Sequence, residues 1–326
     1  MAAGILLVAL VYRWGSRARR GIGRKRLPSW LGLGLRIGLW GVAVALHLGS
    51  GVLFWFSHRL LPSEASEQLF VGVTYHRQVK SSPRPLIIHR AAIDLRAKGL
   101  SLLVTPGRVR HRRQLPARTT SAFVKEFRLQ LAINGQTFFP FSSKSPWEYF
   151  PRPGDWVSVN GLNASRGTRY ARRTRKHPTL YVSKDNRASI GHDSATVYNA
   201  ISGDQLLLRA GARIARARVR GRAPQPRTAI GIDKARRVMS LVVVDGRQPN
   251  YSEGVSLWEL AGIMESFGCH DALSMDGGGS SALIVLDKNG KPKKLNSPMH
   301  TRIPGRERPV ANHLGVYAAG LDTTAQ

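Results

Sequence analysis

Between residues 69 and 318 one pattern recurs: short runs of apolar and β-branched residues, broken by glycine, proline, Asn-Gly or Asp-Gly. Strand-like runs stand at 69–75, 85–95, 99–105, 128–133, 155–160, 180–183, 197–201, 205–209, 228–233, 238–244, 270–275, 281–286 and near 309–318. Only two segments show helical spacing. The first, about 119–127, is opened by Thr119, Thr120 or Ser121 and sets Phe123 and Phe127 on one face. The second, 257–267, carries Ser256 and Glu259 at capping-box spacing, a periodic apolar face and a stop at Gly268. This balance argues against a regular strand–helix alternation. It predicts an α+β fold: a mixed, mostly antiparallel twisted β-sheet with a few flanking helices.

The N-terminal part is of another kind. Residues 37–56 form a run with no full charge and only His47 titratable. As a helix rising about 1.5 Å per residue it would cover about 30 Å, the hydrocarbon thickness of a bilayer. Trp30, Trp40, Trp55 and Phe56 lie near its two ends, and Arg36 stands where a long side chain can reach the interface. The expectation is an N-terminal transmembrane helix. Seven Lys/Arg between Arg13 and Arg26 put the N-terminus in the cytoplasm and the body outside it, in a periplasmic or lumenal space. Cleavage as a signal peptide competes, but no clear A-x-A site follows the run. The expected organisation is a basic cytoplasmic segment at 1–29, an anchor at 30–58, a linker at 59–68, a catalytic-type domain at 69–320 and a tail at 321–326.

Charge is the compositional oddity. Against 19 Asp+Glu stand 50 Lys+Arg, for a formal net charge of +31 over 326 residues. Nucleic acid is the first partner such a balance suggests. Nine of the bases precede residue 60, where topology accounts for them, and no nucleic-acid motif accompanies the rest. The arginine-rich stretches 163–194 and 209–222 read as exposed basic loops or edges. An anionic envelope polymer is a more fitting partner for them than nucleic acid. The single Cys269 excludes an intrachain disulfide framework and any multi-cysteine metal site, and it reads as a small buried residue.

Chemistry has few places to sit. Asp276 ends the apolar strand A-L-S-M and opens Gly277-Gly278-Gly279-Ser280-Ser281. Three glycines leave backbone N–H groups uncovered for an anion or a sugar, and the two serines add hydroxyls. A tight turn with a locally bonded Asp is the bland alternative. Asp245-Gly246-Arg247 repeats the arrangement after V-V-V and also reads as a hairpin turn. Arg227, behind Pro224 and Pro226, can clamp a phosphate or simply lie on the surface. The triple glycine lacks the following G-K-[ST] of a phosphate-binding loop, and H-E-x-x-H and G-x-S-x-G are both missing. Nothing in the spacing demands a metal or a cofactor.

Taken in order, these pieces resemble the phosphodiester glycosidase family. They are I-I-H-R-A-A-I-D-L at 87–95, A-I-N-G-Q-T-F-F at 132–139, Y-N-A-I-S-G at 198–203 and R-T-A-I-G-I-D at 227–233. V-V-V-D-G-R at 242–247, the S-L-W-E-L-A helix, A-L-S-M-D-G-G-G-S-S-A-L at 272–283 and R-P-V-A-N-H-L-G-V at 308–316 follow. The sequence departs from the family at Gln136, where a second glycine is usual. The resemblance implies hydrolysis of a sugar-1-phosphodiester to free sugar and phosphomonoester. In that reading Asp276 is the catalytic carboxylate and Asp245 its partner or a substrate binder. Arg227 and Arg247 hold the phosphate with Gly277, Gly278, Ser280 and Ser281, and Asn134 and Asn312 bond sugar hydroxyls. An envelope or exopolysaccharide glycan is the expected setting. Two alternatives stay open: a non-catalytic sugar-phosphate-binding module in exopolysaccharide biosynthesis or export, and a glycosidase acting on ordinary linkages.

Overall fold

The computed structural model describes residues 29–321 apart from 58, 110–111, 173, 175, 192–196 and 216–220. The basic segment before residue 29, the tail from 322 and part of each arginine-rich stretch lie outside the described residues. The chain divides into two units, Met1–Arg59 and Leu60–Gln326.

In the first unit one helix runs over Ser29–Ser57 and covers the uncharged run. Its described apolar side chains, Ile37, Trp40 and Leu48 among them, stand exposed. His47 Nδ1 donates to Ala43 O at 2.8 Å and Ser50 Oγ to Leu46 O at 2.7 Å, so both polar side chains fold back on their own helix. Among the described residues no helix is long and apolar enough to cross a membrane; the described side chains of this one run unbroken only from Arg36 to Gly51.

The second unit is built on an eight-stranded sheet. From one edge it runs Ala65–Phe70, Val73–Lys80, Leu86–Asp94, Val238–Val244, Arg227–Asp233, Cys269–Ser274, Gln205–Arg209 and Ala212–Arg213. A five-stranded sheet stacks against it, in the order Pro292–Lys294, Leu283–Leu286, Leu131–Asn134, His313–Tyr317 and Ser101–Val104. Every paired strand among the described residues is antiparallel, so the expected mixed sheet is corrected to an antiparallel one. Hairpins join only some neighbours, as between Val73–Lys80 and Leu86–Asp94, while the helix Leu257–Ser266 carries the chain from Val238–Val244 past Arg227–Asp233 to Cys269–Ser274.

Period-two alternation builds the layers. Met239, Leu241 and Val243 face the core between the sheets, with Ala91, Ile93, Ile230, Ile232, Leu131, Ile133 and Leu314. Val242 and Val244 face the other way, onto Leu260, Ala261 and Met264 of the helix Leu257–Ser266. Both expected helices are present. Ser256 and Glu259 close a full capping box, and Thr119 Oγ1 accepts from Ala122 N ahead of Thr120–Phe127. That shorter helix covers the outer face of the five-stranded sheet through Phe123 and Val124.

Two local expectations fail. The run 69–75 is not one strand: Gly72, with φ +74°, turns the chain between Ala65–Phe70 and Val73–Lys80. Residues 65–68 of the expected linker are thereby edge strand. The stretch 163–194 is not a set of loops either. It forms a further five-stranded antiparallel sheet with Asn199–Ser202, in which Ala164, Leu180 and Ala200 are fully buried. Its arginines 166, 169 and 172 stay outside, so charge at Asn163–Ser165 and Thr168–Ala171 hid their apolar side.

Candidate active site

The two sheets meet where Cys269–Ser274 runs out. Met275 N donates to Thr228 O, and Asp276 N donates to Gly135 O at 3.0 Å, so the chain leaves one sheet and joins the other. A single 3₁₀ turn, Gly278–Ser280, then leads into Leu283–Leu286. Asn134, at the end of Leu131–Asn134, clasps this crossing. Its Oδ1 accepts from Thr228 Oγ1 at 2.8 Å and from Ala282 N at 3.1 Å. Its Nδ2 donates to Asp276 O at 2.8 Å and to Gly135 O at 3.2 Å.

Each of the three glycines makes room for a specific neighbour. A Cβ at Gly277 would stand 2.8 Å from Pro226 O and 3.6 Å from Arg227 Cδ. At Gly278, where φ is +61°, it would meet both Nη atoms of Arg247 at 3.1 Å. At Gly279 it would meet Arg308 Nη2 at 2.5 Å. The glycine turn is therefore a floor on which three arginines rest.

Above that floor lies a cavity of about 820 Å³ lined by Asp204, Asp276, Arg227, Arg247, Arg302 and Arg308, with Phe141, Leu257, Met275 and Met299 as apolar wall. Ser280 Oγ donates to Asp276 Oδ2 at 2.6 Å, and Arg308 Nη1 donates to Ser280 Oγ at 3.2 Å. Burial raises the Asp276 carboxyl, against that hydroxyl and the charges of Arg308 and Arg247. Asp204 sits just past the strand Asn199–Ser202 and accepts from Thr137 Oγ1 at 2.7 Å. Burial first, and then the charge of Asp276, raises Asp204 to about 7. The charge of Asp276 thus acts with burial on Asp204, which keeps a proton available near neutral pH.

Of the residues expected from sequence, Asp276, Arg227, Arg247, Gly277 and Gly278 line the cavity together. Ser280 supports Asp276 from beneath, and Ser281 is fully buried with no partner for its Oγ. Asp245 is placed elsewhere. Only 1% exposed, it accepts from His89 Nε2 at 3.1 Å, Asn296 Nδ2 at 3.0 Å and Ser297 N at 3.0 Å. Those bonds fill its oxygens and make it a strut between strand and loop. Asn134 is occupied by the clasp. Asn312 is fully buried, with Oδ1 accepting from Gln136 N and Nδ2 donating to Asn163 Oδ1, so neither asparagine faces the cavity. Asp204, Arg302 and Arg308 were not singled out from sequence. The signal available was S-G-D, an acid following a strand end, and the cluster R-I-P-G-R-E-R at 302–308. Among the described residues no group of three or more His, Cys, Asp or Glu could hold a metal ion.

The chain belongs to the phosphodiester glycosidase family, whose profile matches residues 127–317. Two solved structures share its fold. A hypothetical protein from Synechocystis matches with a TM-score of 0.60 at 14% identity, over 79% of this chain. This chain spans 64% of that protein's length. The zebrafish N-acetylglucosamine-1-phosphodiester alpha-N-acetylglucosaminidase catalytic domain, auto-inhibited by its pro-peptide, matches with a TM-score of 0.53 at 20% identity, over 80% of this chain and 85% of its own. No curated protein matches the chain.

Proposed function

We propose that this chain is a hydrolase that splits a sugar-1-phosphodiester into free sugar and phosphomonoester, on an envelope or exopolysaccharide glycan. One observation carries the reading: a raised carboxyl pair, Asp276 and Asp204, shares a cavity with four guanidiniums. Carboxyls suit work at an anomeric carbon, and guanidiniums suit a phosphate. The zebrafish relative is named for a sugar-1-phosphodiester linkage, which agrees with this chemistry.

In the reaction the bond from C1 to the phosphate oxygen breaks and its electron pair leaves on the phosphate. Water supplies the oxygen that ends on C1. Asp276 acts on C1 or on the water, its charge held in place by Ser280. Asp204, with its pKa near 7, carries the proton. Arg227 and Arg247 receive the phosphate; its departing charge is what the cations stabilise most in the transition state.

The test is release of reducing sugar from an aryl-phosphodiester of an α-sugar, set against the corresponding aryl glycoside. Turnover of the phosphodiester that Asp276→Asn abolishes, with the melting temperature kept, supports the assignment. Full activity in Asp276→Asn, or preference for the plain glycoside, refutes it.

The helix Ser29–Ser57 is proposed to hold this domain to a membrane, N-terminus in the cytoplasm and catalytic unit outside it. The uncharged run 37–56, its basic N-terminal flank and the self-bonded His47 and Ser50 support that placement. A reporter active only in the cytoplasm, fused after residue 321, should be silent; an active fusion refutes the topology.

A further inference from the structure

The cavity holds more positive charge than a phosphodiester can balance. Arg227, Arg247, Arg302 and Arg308 line it, against Asp204 and Asp276. Arginine ion pairs elsewhere among the described residues use Arg84, Arg96, Arg118, Arg187 and Arg213, and none uses these four. Their hydrogen-bond partners are neutral. Arg227 donates to the carbonyls of Val255, Gly221 and Ala223, Arg247 to Gln225 Oε1, and Arg308 to Ser280 Oγ and His300 Nδ1.

The four are also close enough to repel. Burial first, and then Arg247, weakens the hold of Arg227 on its proton; Arg302 acts on Arg247 and Arg247 on Arg308 in the same sense. Asp276 offsets part of this cost at Arg247 and Arg308, and Asp204 and Asp276 do so at Arg227; a bound anion offsets more of it. The backbone carries the same mark: three of the non-glycine residues with positive φ, Arg247 (59°), Thr301 (51°) and Arg302 (62°), line this cavity. Such conformations persist at functional sites when the fold holds them there. Arg302, beside Thr301 in this strained pair, stands exposed at the cavity wall.

A phosphodiester brings one negative charge. Without substrate the four guanidiniums exceed the two carboxylates by two charges, and by three when one carboxyl is protonated. A diphosphate diester brings two charges on adjacent phosphates. We propose that the substrate is a sugar 1-diphosphate diester, one phosphate held between Arg227, Arg247 and Arg308 and the second by Arg302. This rests on the hydrolase reading of the same site. The C1–O bond breaks as before, its electron pair leaving on the diphosphate. Water gives its oxygen to C1, and its proton passes to a cavity carboxylate and on to solvent. Free sugar and a substituted diphosphate result.

Calorimetry on the full chain in detergent, at fixed ionic strength, tests this with inorganic pyrophosphate against inorganic phosphate. Pyrophosphate is expected to bind at least about tenfold tighter. Arg302→Gln should collapse that ratio while changing phosphate affinity less than about twofold, and Arg302→Lys should restore part of it. Equal affinities, or an unchanged ratio in Arg302→Gln, overturn the inference. Sugar release is then compared for an aryl-phosphodiester, a nucleoside diphosphate sugar and a prenyl diphosphate sugar. Faster release from either diphosphate supports the inference, and the better of the two names the source. Release from the phosphodiester with no pyrophosphate preference overturns it and leaves the hydrolase reading standing. A pyrophosphate preference with no sugar released from any of the three refutes the hydrolase reading and keeps the two-phosphate selectivity.

Discussion

Replacing Asn134 by alanine separates a clasp from a sugar ligand. The side chain makes four hydrogen bonds, and none points into the cavity. Its removal leaves the Thr228 hydroxyl, the Ala282 N–H and the Asp276 carbonyl without their partner, in a place where Asn134 itself is fully buried. Each buried polar group left unsatisfied costs about 1–3 kcal/mol, and bonds sharing one residue add less than their sum. The expected loss is about 3–6 kcal/mol. A domain of this size shifts by about 2–4 °C per kcal/mol, so the melting temperature should fall by at least about 6 °C. Because the clasp fixes Asp276 through its own carbonyl, kcat should fall with stability while KM for the phosphodiester changes little. Thermal melting of the full chain beside steady-state kinetics reads both. A melting point held within about 2 °C with a strongly raised KM would refute the clasp and return Asn134 to the sugar.

Asp204→Asn should stabilise the fold in a pH-dependent way. The folded state holds this proton to about pH 7 against an ordinary value of 3.8, so the native protein loses stability as pH rises through that window, by up to about 1.4 kcal/mol per unit. The variant should melt higher than the parent at pH 8 and match it at pH 4; an equal gain at both pH values would refute the assignment. Ser280→Ala removes a donor that favours the ionised form of Asp276, so the acidic limb of the kcat/KM profile should move to higher pH, and an unmoved limb sinks the coupling. Gly279→Ala puts a Cβ against Arg308, which should cost activity on phosphodiesters by roughly tenfold or more with the fold retained by circular dichroism. Asp245→Asn should do the opposite of Asp276→Asn: it unbalances a buried carboxylate network and should lower the melting temperature by an amount worth about 3 kcal/mol, checked by denaturant titration.

The α+β class was legible because its signals are local, while the split into stacked sheets was not. Alternation at 238–244, the Ser256–Glu259 cap and the stop at Gly268 each act within a few residues, and each appears where the sequence put it. Within the 163–194 sheet, Asn163–Ser165 and Thr168–Ala171 were hidden because outward arginines dominate a reading by composition, whereas the runs at 180–183 and 197–201 were legible. Asp276 and the triple glycine were legible for a covalent reason: a strand that ends in an acid and three residues without side chains advertises a close approach. What approaches could not be read. The residues that rest on the glycine floor come from 227, 247 and 308, and the second carboxyl comes from 204.

The same limit explains Asp245, Asn134 and Asn312. Asp245 and Asn134 stand in turn motifs and Asn312 in a family motif, and sequence cannot tell a polar side chain aimed at a ligand from one spent on the protein's own backbone. That choice is made when strands far apart in the chain pack side by side, because a buried carboxylate or amide must find partners from whatever the neighbouring layers present. By itself the sequence determined the family, the central strands of the two stacked sheets, the helices and the one acid at the glycine turn. The tertiary structure decided which polar groups were consumed in holding the two sheets together, and left Asp276, Asp204 and four unbalanced arginines facing the cavity.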